Sequence, residues 1–89
     1  MFDVELKIRT VPKVVEQSKL QLLEVIDSWS ILKLDGMWKG KAEESVELSI
    51  ICDVDKSKDI VGIIAQNAKQ LGEDSIMIGN SFLALNEID

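Results

Sequence analysis

The side chains that carry most enzymatic chemistry are scarce in this 89-residue chain. It has no histidine, which removes the commonest general base and the commonest transition-metal ligand. Its one cysteine, Cys52, sits in the apolar phase of SVELSIICDV at 45–54. It reads as a small core residue rather than a nucleophile. No serine stands in G-x-S-x-G, and the glycines fit neither a phosphate loop nor a dinucleotide fingerprint. Carboxylates are more plentiful. The run DVDKSKD at 53–59 has the outline of a calcium loop. Counting from Asp53, however, Lys58 and Ile64 occupy the sixth and twelfth positions, where that loop needs Gly and Glu. Helix capping accounts better for Asp53, Asp55 and Asp59, and turn formation for Glu73 and Asp74. The expectation is a chain that is not an enzyme and holds no metal or cofactor.

What remains are residues suited to contact. In LDGMWKGKAEE at 34–44, Gly36 and Gly40 bracket Met37, Trp38 and Lys39, with Lys41 just beyond. Lys39 and Lys41 could touch an anion, but two lysines are a weak signal, and a solvated turn accounts for them better. Trp38 is one of two tryptophans in a chain with 4% aromatic residues. Its ring either caps the sheet or helix layer or anchors a partner, since an exposed Trp offers large contact area at small entropic cost. With Ile51 and Met77, these residues are the candidate contact set.

Composition sets the frame. Eighty-nine residues make a single domain spanning 1–89. Hydrophobic residues are 46% of the chain, enough for a core, and the shortage of aromatics makes that core aliphatic. The formal net charge is −6, with ten scattered Lys and Arg. Nucleic-acid binding needs clustered cations, so nucleic acid is not an expected partner. The acidity suits a solvated surface, a basic protein partner, or mimicry of nucleic acid. A lone cysteine forms no internal disulfide, which fits a reducing compartment. No signal-like leader and no apolar run of about 18 residues is visible. The expectation is a cytoplasmic chain with no membrane attachment.

The elements follow from periodicity. Residues 2–10 alternate, with Phe2, Val4, Leu6 and Ile8 on one face and Asp3, Glu5, Lys7 and Arg9 on the other. Thr10 as cap and Pro12 in the first turn predict a helix start. Val15, Leu22, Val25, Ile26 and Trp29 extend its apolar stripe, giving a helix over about 12–28. Ile31, Leu32 and Leu34 predict a second strand, interrupted near Asp35-Gly36. Residues 45–54 predict a third. Asp55 or Ser57 caps a second helix marked by Ile60, Val61, Ile64, Ala68 and Leu71, with Gly72 as its C′ residue. Gly62 in its first turn either weakens it or allows close packing on a sheet. The tail predicts strands at 75–78 and 82–86 about a Gly79-Asn80 turn, a bulged single strand being the alternative.

Strand, helix, strand, strand, helix, strand is the order of a ferredoxin-like α+β sandwich, an antiparallel sheet with two helices on one face, here with a short extra C-terminal strand. Two helices cover one face only. The other carries Asp3, Glu5, Lys7, Arg9, Glu47, Ser49, Ile51 and Asp53, polar enough to meet water. Ile51, Met37, Trp38 and Met77 either form an apolar patch near it or pack singly at the sheet edge.

The run GMWKGKAEESVELSII at 36–51 and LGEDSIMI at 71–78 resemble a group of small uncharacterised domains of bacteria and their mobile elements. Their pattern is G-x-W-x-G, then E-x-S with an apolar strand, a helix, and a Q-E/D-S-apolar strand. Gly36, Trp38, Gly40, Glu44, Ser45, Glu73, Asp74 and Ser75 occupy the matching positions, with Glu73 where Gln is usual. The likeness covers about half the chain and implies the fold without an activity. A weaker similarity, through Trp38, Gly40, Lys41, Glu43 and Glu44, runs to the CutA divalent-cation tolerance proteins. It implies a trimer, while the missing His and H-P-Y motif argue against their metal binding.

Three functional readings result. The first is a non-enzymatic binding module that self-associates as a dimer or trimer through its sheet. The second is a phage or mobile-element inhibitor that masks a host protein. The third is a small-ligand sensor that binds at a subunit seam near Gly36 and Gly79.

Overall fold

The computed structural model describes residues 3–87, and within them every side chain but those of Trp38 and Glu87. Phe2, expected on the first strand, lies outside the described residues, and so does the side chain of Trp38. The elements run β1 (Asp3–Thr10), α1 (Pro12–Leu23), β2 (Ser30–Trp38), β3 (Lys41–Asp53), α2 (Val54–Gln70), β4 (Ser75–Ile78), β5 (Ser81–Ala84) and a short 3-10 turn (Leu85–Glu87). The sheet order is β2-β3-β1-β4-β5, with every neighbouring pair antiparallel. Its first four strands make the ferredoxin-like arrangement, and β5 adds the extra strand.

Alternation on β1 and β3 builds the core. Leu6 pairs with Ile50 and Ile8 with Leu48, and all four are buried beneath the helices. Ile60, Ile64, Ala65 and Ala68 of α2, Val14, Val15 and Leu22 of α1, and Ile76 and Leu85 complete an aliphatic cluster. Cys52 belongs to it. The opposite phase faces outward as expected. Arg9 bonds Glu47 across the strands at 3.2 Å, and Lys7 lies 3.4 Å from Glu5. Exposed pairs of this kind contribute little to stability.

A polar clamp sets how the helices meet. Asn67 of α2 is buried. Its Nδ2 donates to Ser18 Oγ (2.9 Å), Gln21 Oε1 (2.8 Å) and Ile63 O (3.0 Å), and its Oδ1 accepts from Gln17 Nε2 (3.0 Å). Ser18 Oγ in turn donates to Val14 O at 2.7 Å. Aliphatic contacts tolerate sliding. Hydrogen bonds with several fixed partners do not, so Asn67 holds one register between α1 and α2.

Several boundaries differ from those the sequence predicts. α1 ends at Leu23 rather than near 28. Val25 and Ile26 still donate their backbone N–H groups to Leu22 O and pack on the core, but from a turn. Two β-branched residues followed by Asp27-Ser28 favour leaving the helix. Thr10 does not cap α1. Val11 stands at the N-cap with no side-chain bond, and Pro12 opens the helix as expected. Thr10 remains the last residue of β1. The cap of α2 is Asp53, whose Oδ1 accepts from Lys56 N at 2.8 Å. Asp55 lies in the first turn and Ser57 donates to Val54 O. Gly62 is exposed and a Cβ there would meet nothing, so it serves no close packing.

The connection between β2 and β3 is tighter than expected. β2 runs unbroken through Asp35 and Gly36, and Gly36 has room for a Cβ. The turn is only Lys39-Gly40, with φ of +51° and +77°. Positive φ at both positions defines a type I′ loop, whose twist matches that of the strands it joins. β4 and β5 are likewise joined by Gly79-Asn80, with φ of +59° at Gly79. The tail is therefore a hairpin, with β5 at Ser81–Ala84 rather than 82–86.

Candidate functional site

β1 last pairs with β3 at Thr10–Val46, yet β3 begins at Lys41. The β2–β3 ribbon therefore continues past the end of β1 as a two-stranded arm. Beside it, where β1 turns away into α1, lies a groove of about 320 Å³. Arg9, Thr10, Met37, Glu43, Met77 and Phe82 are among the residues that line it. A second hollow of about 440 Å³ opens at the other end of the sheet, against the turn after α1 and the start of α2. Asp3, Ile51, Cys52, Asp53 and Lys56 contribute to it.

The candidate contact residues are thereby divided. Met37 and Met77 both line the groove, and so does Gly36. Ile51 is 74% exposed and belongs to the far hollow. Lys39 and Lys41 are exposed at the tip of the arm. The backbone of Trp38 pairs with Lys41. Ile51 therefore lies apart from Met37 and Met77.

Burial, followed by the nearby carboxylates of Asp53 and Asp3, pushes the Cys52 thiol up, with Lys56 opposing. A thiol held protonated is a poor nucleophile. Among the described residues no three His, Cys, Asp or Glu side chains gather where a metal ion could sit.

Thr10 is a different case. It is 6% exposed, and its Oγ1 is buried without a hydrogen-bond partner. A buried hydroxyl that bonds nothing carries its full desolvation penalty. Replacing it with a methyl of similar size removes that penalty. Thr10→Val should raise the unfolding free energy by about 1 kcal/mol, read as an upward shift in a urea or thermal melt. A loss of similar size would mean that the hydroxyl is satisfied in solution.

Exposed apolar residues outside the candidate contact set include Leu20 and Leu23 on α1, Val54 on α2, Ile31 and Leu32 on β2, and Phe82 on β5. Ile31 is 50% exposed, Leu32 57% and Phe82 66%. Ile31 pairs with Leu48 and so lies on the helix-bearing face, while Leu32 pairs with Glu47 on the open face. β2 is the outermost strand, and the helix layer leaves Ile31 half in water. Among the described residues no strand pairs with its second edge. Periodicity assigned Ile31, Leu32 and Leu34 to a strand without showing that neither face of it is covered. The strand order was the available signal, because in this topology the second strand is always an edge.

No family model matches the chain, and no curated protein matches it. Among the described residues no helix is long and apolar enough to cross a membrane.

Proposed function

We propose that this chain is a non-enzymatic interaction module that self-associates through the edge strand β2. The observation that carries this reading is the state of that strand. It is nine residues long, exposes Ile31 on one face and Leu32 on the other, and offers a row of backbone donors and acceptors along its free edge. Long, apolar, uncovered edges drive strands of separate chains together. The chain carries a formal net charge of −6, which suits a surface made for contact with water and protein. A buried free thiol at Cys52 is compatible with a reducing, cytoplasmic setting.

The test is a point change on the edge. Ile31→Lys places a charge where the partner must lie, at a residue already half exposed, so the fold should persist. Light scattering should give the wild type at a multiple of the chain mass and the variant at one chain mass, with unchanged circular dichroism. Equal masses for both proteins would remove β2 as the interface. A wild type that is monomeric throughout would leave the edge to a heterologous protein, as in the masking reading.

A second reading has one observation behind it. The groove beside the arm includes Gly36, Met37 and Met77, and its volume reaches the lower range of small-ligand pockets. In that reading the groove takes a small ligand, and a second chain paired along β2 would lie beside Gly36 and Met37 at its edge.

A further inference from the structure

From the sequence of β2 and its hydrogen-bonding phase we infer the partner and its register: a second copy of this chain, with the two β2 strands antiparallel about a two-fold axis at Leu34. The inference rests on the self-association reading and makes it specific.

The phase comes from the turn. A two-residue I′ loop closes on a pair that exchanges both backbone hydrogen bonds, here Trp38 and Lys41, which flank Lys39-Gly40. Pairing then alternates along the ribbon. Trp38, Gly36, Leu34, Leu32 and Ser30 direct their backbone groups at β3. Met37, Asp35, Lys33 and Ile31 direct theirs at the free edge. A second strand must offer outward groups against outward groups, so odd-numbered residues must face odd-numbered residues. A slip of one residue would break that match and also turn the wrong faces together.

Side chains then choose among the allowed registers. With the axis at Leu34, Lys33 faces Asp35 of the second copy, and symmetry repeats the pair. Ile31 faces Met37 of the second copy on the helix-bearing side, and both residues are at least half exposed in the single chain. On the open side Leu34 meets its own counterpart. Leu32 faces Gly36 of the second copy, where the absent side chain leaves room. Slipping the strands by two residues in either direction sets Lys33 or Asp35 against itself, and like charges directly opposite are destabilising. The charge order Lys-Leu-Asp is thus self-complementary in one register. Four outward residues per strand give about eight interchain backbone hydrogen bonds. The result is a continuous ten-stranded sheet with closed two-fold symmetry, so assembly stops at the dimer.

The sheet also gains an account of Gly36. The turn does not need it, and β3 leaves space above it. In the dimer it receives Leu32 of the second copy.

The experiment is a charge exchange with complementation. Lys33→Asp makes both facing positions acidic, and Asp35→Lys makes both basic. Each variant alone should weaken the dimer by about tenfold or more, because every pair occurs twice. Mixed one to one, the two variants should form a heterodimer of near wild-type affinity, since acidic positions then face basic ones throughout. The mixture also controls for folding, because an unfolded variant could not complement. As an independent reading, Leu34→Cys should cross-link to itself under mild oxidation, its Cα separation on the axis falling near the range a disulfide spans. Leu32→Cys should not. A dimeric wild type whose single variants dimerise unchanged and whose Leu34→Cys form fails to cross-link would overturn this register and leave self-association standing. A wild type that stays monomeric at every concentration would overturn both.

Discussion

Leu48→Ala should lower the unfolding free energy by about 3–5 kcal/mol. Leu48 is fully buried and lies at the centre of the sheet, with Ile8 opposite it on β1 and Ile31 on β2. Its side chain stands under the helix layer, whose Ile60 and Ile64 are also fully buried. Removing it loses the transfer free energy of three carbons and opens a cavity that neighbours on a rigid sheet cannot fill. A domain of this length is stable by only about 4–13 kcal/mol, so the change removes a large share of the total. Urea denaturation reads it directly. A loss below about 1 kcal/mol would show that the core closes around the gap.

The second large effect comes from Asn67→Asp. The side chains are nearly the same shape, so packing is preserved and chemistry changes. Asn67 Nδ2 donates to three oxygens, those of Ser18, Gln21 and Ile63. A carboxylate would set an acceptor against all of them in a buried place. The expected loss is about 3–5 kcal/mol at neutral pH, the scale of an uncompensated buried charge. The pH dependence has a definite sign. Such a carboxyl binds its proton more tightly in the folded chain than in the unfolded one, so folding takes up a proton. Stability should therefore return in part as the pH falls from 7 toward about 4. A variant with wild-type stability, flat across that range, would contradict the clamp.

These two residues differ in how visible they are beforehand. Leu48 is legible from alternation alone. Strict period two over 45–54 assigns Leu48, Ile50 and Cys52 to a common buried face, and the structure has them there. Asn67 is not legible. It falls on the apolar stripe of α2 beside Ala68 and Ile64, and only the approach of Ser18, Gln17 and Gln21 from α1 turns it from an error into a clamp. Periodicity reports which residues share a face. It does not report which polar group on one helix meets which on another.

The same distinction separates the parts of the candidate site. Met37 and Met77 are far apart in sequence and line one groove because β1 ends early beside the long β2–β3 arm. Ile51 is the apolar exception in the open-face phase of 45–54, which suggests a common patch with them, but it lies at the opposite end of the sheet. The Asp35-Gly36 pair read as a break because both residues are common in turns. Ribbon pairing with Glu44 and Glu43 outweighs those local preferences, and the turn moves to Lys39-Gly40. Thr10 misled for a similar reason. A Thr two residues before Pro resembles a cap, but cross-strand pairing with Val46 keeps it in the sheet.

The account turns on whether the free edge of β2 is occupied in solution. Light scattering coupled to gel filtration, over a concentration series of the unmodified chain, tests this most directly. The chain mass is 9.9 kDa. The structure's edge strand predicts a species of twice that mass that dissociates only on dilution. A mass of one chain at every concentration would contradict it.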